Sequence, residues 1–138
     1  VSHPRINARV LSLVAGALAL PLVLSACSGD RAEIDAACAD IQANISAVDM
    51  AASSLEQDLL VAGVPYQDQH ADELSAHLDD VERLEEAARG DLRDDATERA
   101  DAVDAVLAEL DNGDENGLAD ALDWTAETHD MILEACGF

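Results

Sequence analysis

From Ile34 onward, apolar residues recur at alternating spacings of four and three: Ile34, Cys38, Ile41, Ile45, Val48, Ala52, Leu55, Leu59 and Ala62. This is the period of an α-helix, and a strand, whose faces alternate every second residue, cannot gather such a set on one side. A stripe of that length must be covered by other helices or by a partner. Gly63 can take the left-handed cap conformation and Pro65 cannot continue the hydrogen-bond ladder, so the first helix is predicted to run from Arg31 to Ala62.

The rest of the chain supplies the covering elements. Leu74, Leu78, Val81, Leu84 and Ala88 form a second stripe that ends at Gly90. Asp91 stands where it could cap a third helix bearing Leu92, Ala96, Val103, Leu107 and Leu110. The stretch from Asp111 to Gly117 has the composition of a turn, and a fourth helix follows with Leu118, Leu122, Trp124, Ile132, Leu133 and Cys136. No alternating strand pattern interrupts this. The expected fold is all-α: a small antiparallel bundle of four helices, or of three if Gly90 only bends one rod, since an interior glycine costs just about 1 kcal/mol. Tyr66, Trp124 and Phe138 are the only aromatic residues, so the core must come from Leu, Ile, Val and Ala, with Trp124 expected to fill part of it.

Ahead of the bundle lies a different kind of segment. Arg5 and Arg9 form a small basic head, and Val10 to Leu24 is apolar except for Ser12, Gly16 and Pro21. A helix of about 15 residues reaches only ~22 Å, short of the roughly 30 Å hydrocarbon core, so a lasting transmembrane span is disfavoured. The run ends in Leu24-Ser25-Ala26-Cys27, which resembles the lipobox of bacterial lipoproteins. The resemblance implies that Leu24, Ser25 and Ala26 are read by a signal peptidase, that diacylglycerol is attached to the Cys27 thiol, and that cleavage falls before Cys27. It divides the chain into a signal peptide (1–26), a lipidated anchor and short tether (27–32) and an acidic helical domain (33–138). It places the mature protein on the extracytoplasmic side of a cell membrane, held by lipid.

The charge is one-sided. All thirty acidic residues follow Cys27, lysine is absent, and only five arginines remain after the leader, a formal −25 for the mature chain. Such a surface repels nucleic acid and anionic head groups, which excludes DNA or RNA as a partner and leaves the lipid as the membrane contact. With Cys27 assigned to the lipid by the resemblance, Cys38 and Cys136 remain, an even number in an oxidising compartment, and they are expected to pair. In an up-down-up-down bundle the start of the first helix and the end of the fourth share one end. Closing a loop of about 100 residues contributes up to ~4.7 kcal/mol on the chain-entropy model.

Signals for chemistry are sparse. The segment from Asn112 to Asp123 looks like a degenerate EF-hand loop, with Asn112, Asp114, Asn116, Asp120 and Asp123 at oxygen-ligand positions, the Leu118 carbonyl at the seventh and Gly117 at the sixth. Calcium is the cofactor this pattern would take, against the plainer reading of an interhelical loop. His70, Glu73 and His77 share one face of the second helix, which is predicted to be a solvated face. His129 is isolated on the fourth helix. Glu85 with Arg89 and Asp95 with Arg99 are spaced as helix-surface ion pairs. Arg89-Gly90-Asp91 reads as a helix stop and restart. No phosphate loop or nucleophile elbow occurs, so an enzyme is not expected. The function expected from the sequence is an envelope interaction module that presents an acidic helical surface to a protein partner, with cation binding at 112–123 as the alternative.

Overall fold

The computed structural model describes the backbone from Leu22 to Phe138 and the side chains from Asp30 onward. The basic head, the apolar run up to Pro21 and the side chains of Leu24, Ser25, Ala26 and Cys27 lie outside the described residues. Helix α1 spans Leu22–Leu55 and passes into a π-helical segment, Glu56–Val61; α2 spans Asp68–Ala87, α3 Asp91–Asn112 and α4 Glu115–Ala135. The fold is an all-α bundle of four helices, with no strand among the described residues. Successive helices pack on one another, whereas α1 and α4 approach each other closely over only a short stretch.

The stripe of α1 is buried at Cys38, Ile41, Ile45, Val48 and Leu55, joined by Ala37 and Ala51. Ala62, its expected last member, is exposed. The cause is the π segment: the Ala62 N–H reaches the Gln57 carbonyl five residues back (2.9 Å), and the Val64 N–H reaches that of Asp58 (2.8 Å). A wider turn delays the phase of the stripe. Leu59 and Leu60 are consequently both half-buried, and Val61 and Ala62 turn outward. Gly63, at φ +64°, then closes the element in the left-handed region, as expected.

Gly90 separates α2 from α3 rather than bending one rod. Its φ of +61° and ψ of −144° form a conformation open in practice to glycine alone, and its carbonyl accepts from Arg93 N–H (2.9 Å) and Asp94 N–H (3.1 Å). Gly90, not Asp91, occupies the cap position; Asp91 is the first residue of α3, where its negative charge faces the positive end of the helix dipole. At the next connection Gly113 (φ +71°) ends α3, and the Asp114 carboxylate caps α4 by accepting from Asn116 N–H (3.1 Å) and Gly117 N–H (3.3 Å).

Cys38 and Cys136 are joined by a disulfide, with their Cα atoms 5.5 Å apart across a sequence separation of 98. The bridge fastens α1 to the end of α4. Around it lies one apolar cluster, including Ile41, Ile45, Val81, Leu84, Ala96 and Ile132. Toward the opposite end lies another, including Val48, Leu55, Leu74, Val103, Val106, Leu118 and Leu122. Tyr66 packs partly on the second, Phe138 is exposed, and Trp124 is half-buried and belongs to neither, so it does not fill the core.

Candidate functional site

Between the two apolar clusters the bundle buries a polar layer. His77 of α2, Arg99 of α3, and Thr125 and Thr128 of α4 are each no more than 4 % exposed. Arg99 Nε donates to His77 Nε2 (3.1 Å), while Nη1 donates to the Thr128 hydroxyl (3.0 Å) and to the Thr125 carbonyl. Thr125 Oγ1 lies within bonding distance of the Ala121 carbonyl (2.9 Å) and, across to α3, of the Ala102 carbonyl (3.2 Å). One arginine thus ties three helices together at a single level.

The electrostatics of this layer follow from burial. His77 accepts at Nε2, so its single proton stands on Nδ1, and burial, reinforced by the charge of Arg99 and by His129, lowers its pKa to about 3. Burial also lowers the pKa of Arg99 to about 10, against an opposing pull from Asp49. Arg99 therefore remains a cation in the core with no carboxylate in direct contact, and its Nη2 and His77 Nδ1 are buried without a protein partner. A charge held in this way costs stability unless its bonds are complete.

Over the layer, at the loosely packed seam between α1 and α4, opens a cleft of about 290 Å³. Ala52, Leu122 and Thr125 form its less exposed wall, and Asp49, Glu56 and Asp123 bring carboxylates to its mouth. The Thr125 hydroxyl is engaged within the fold, and His129 Nδ1 is bound to Asp49 Oδ1 at 3.0 Å, an interhelical contact that spans the seam. A second, more open cleft of about 460 Å³ lies on the other side of the π segment, lined by polar residues such as Ser53, Gln57, Asp58 and His70. The π turn therefore stands between two concavities.

Several sequence expectations meet different surroundings. His77 is a core residue, not part of a solvated face with His70 and Glu73. Arg99 faces inward to His77 and α4 rather than outward to Asp95, and Arg89 donates to the carbonyls of Glu86 and Ala88, not to Glu85. His129, isolated in sequence, is partnered in space by Asp49. In the 112–123 segment, α4 begins at Glu115, so Asn116, Asp120 and Asp123 follow one another along one face of a helix at spacings of four and three, with Leu118 on another face. Asn112 ends α3, Asp114 is occupied with capping, Leu118 packs inward, and Asp123 lies at the α1/α4 cleft. No group of three or more His, Cys, Asp or Glu side chains is placed to hold a metal ion among the described residues.

The polar layer left a readable trace that stripe counting passed over. Each member falls in phase with its helix's apolar positions: His77 between Leu74 and Val81, Arg99 between Ala96 and Val103, Thr125 and Thr128 between Leu122 and Ile132. A polar residue at an in-phase position is the signal. No protein-family model, curated protein or solved structure matches the chain.

Proposed function

We propose that this is a lipid-anchored protein of the bacterial cell envelope whose acidic helical bundle is a binding module for a protein partner on the extracytoplasmic side. The observation that carries the reading is the division of the cysteines. Cys38 and Cys136 are joined, a pairing suited to an oxidising compartment, and this leaves Cys27, directly after an apolar run and Leu24-Ser25-Ala26, as the cysteine open to lipid. Two or more acyl chains make such an anchor stable, since each buried CH₂ contributes about 0.8 kcal/mol. A surface with so large an excess of carboxylates obtains no attachment from anionic lipid by charge.

The anchor is tested by growing cells with a clickable fatty acid and partitioning the extracted protein between detergent and water. The wild-type protein is expected to carry label and enter the detergent phase, and Cys27→Ser to do neither. Equal behaviour of the two would refute the lipid anchor. The interaction role is tested by crosslinking in intact cells, where capture of one specific partner should be lost when the exposed acids of one helix are reversed in sign.

A further inference from the structure

The exposed arginines lie on one side of the polar layer. Arg83 bridges Glu33, Asp40 and Asp80 near the disulfide, Arg89 and Arg93 flank the α2–α3 connection at the same end, and Arg31 precedes them on α1. Beyond Arg99, which is buried, no lysine or arginine occurs, and none lies between Val48 and Glu82. The opposite half of the bundle therefore carries Glu56, Asp58, Asp68, Asp72, Asp104 and Asp123, among other acids, without one exposed arginine. The α1/α4 cleft opens into this half.

We infer that the α1/α4 cleft is a docking site for a basic segment of a protein partner, which inserts an arginine or lysine side chain between Ala52 and Leu122 and sets its charge among Asp49, Glu56 and Asp123. The fit is chemical. Aliphatic wall and carboxylate mouth match an aliphatic stem with a cationic head, the form in which these side chains bury their methylenes and keep the charge at the surface. At about 290 Å³ the cleft is at the small end of ligand sites, suited to one or two side chains. Its hydrogen-bonding groups are mostly acceptors: three carboxylates stand at the mouth, Thr125 is engaged inward and His129 is held by Asp49. An acidic occupant would meet repulsion without a free cation to offset it. The acid-only half also draws a basic partner toward this end over a distance of about a Debye length.

The inference deepens the interaction-module reading and rests on it for the existence of a partner, but its test does not depend on the lipid. The intact protein, purified in a zwitterionic detergent, is titrated at physiological ionic strength with a capped, fluorescent peptide of alternating arginine and leucine. The expected result is saturable binding that weakens about tenfold in E56Q/D123N and is lost in A126F, which fills the cleft mouth without changing charge. The control E82Q/E86Q, which removes the same number of exposed charges from α2 near the disulfide, should bind as wild type. A peptide with glutamine for arginine should not bind. Absence of binding, equal losses in the two charge variants, or full binding by A126F with an unchanged melting temperature would each overturn the inference. Phase partition reports the anchor and the titration reports the cleft, so either can fail alone.

Discussion

At the disulfide end, α1 and α4 are fastened by Cys38 and Cys136, Arg83 gathers three acids from α1 and α2, and Ile41, Ile45, Leu84 and Ile132 pack beneath them. At the other end α1 changes to a π turn that still packs on α4, and clefts open on both sides of it. Both ends have an apolar cluster of small aliphatic residues, so packing alone does not distinguish them. What differs is the closure between first and last helix, which is covalent at one end and rests on aliphatic packing at the other, with the contact of Asp49 with His129 at the polar layer between. A bundle fastened at one end can leave the opposite seam open for binding without loosening the whole.

Removing the fastening should have the largest effect. The variant C38S/C136S, or reduction of the wild type, is expected to lose about 4 kcal/mol of unfolding free energy, a little under the loop-entropy value, measured by denaturant titration. Amide exchange should accelerate more around Ile41 and Ile132 than around Val103 and Val106. If the protein lost no stability on reduction, packing would suffice at that end and the contrast between the ends would fail.

The polar layer comes next. His77→Ala is expected to cost about 3 kcal/mol, because it leaves a void and deprives Arg99 Nε of its only acceptor within a buried site. Replacing both partners, in H77L/R99M, should return stability to within about 1 kcal/mol of wild type or above it, since well-packed apolar residues commonly substitute for buried charge without loss. The comparison sharpens if the double variant is stable but its seam residues give several sets of NMR signals, for the layer would then specify alignment. A double variant as unstable as His77→Ala would show that the arginine bonds themselves hold the two halves together.

This layer also shows how far the chain could be read before its structure. The helical stripes, the stop at Gly63 and the aliphatic core follow from periodicity and backbone permissiveness, which are local properties. Gly90 leaves three or four helices open, and the Cys38–Cys136 pairing follows from parity only once the lipobox resemblance has set Cys27 aside. His77 and Arg99 did not follow, because counting apolar residues treats a polar one as a gap, although both stand in phase with their neighbours. The π turn was illegible for another reason: Leu59 and Ala62 continue the helical period, so the stripe carries no mark of the slip that brings both Leu59 and Leu60 onto the second cluster. The cleft depends on the spacing of two helices far apart in sequence, which no stripe encodes.

Titration reaches the layer without mutation. His77 takes up a proton near pH 6.5 in the unfolded chain and only near 3 when folded, so the unfolded state binds more protons in between. Its contribution is intact above pH 6.5 and is lost as pH falls toward 3. Between pH 7 and pH 5 the wild type should lose about 2 kcal/mol more than His77→Gln, read from urea midpoints at each pH. Equal slopes would mean that His77 is reached by solvent and that the two apolar clusters are not separated by a dry layer.

The smallest expected effect concerns the seam itself. Asp49 and His129 meet at 3.0 Å, yet the Asp49 side chain is half exposed and that of His129 a quarter exposed. Water and salt screen a pair so placed, and holding two side chains in one geometry costs entropy, so a double-mutant cycle with Asp49→Ala and His129→Ala should give a coupling of about 0.5 kcal/mol, smaller at high salt. This is too little to shut the seam against a binding partner. A coupling above about 1 kcal/mol, insensitive to salt, would mean that the contact is a second fastening and that the two ends are closed alike. A weak coupling leaves the mouth of the cleft open to an inserted side chain, while the disulfide keeps α1 and α4 in register.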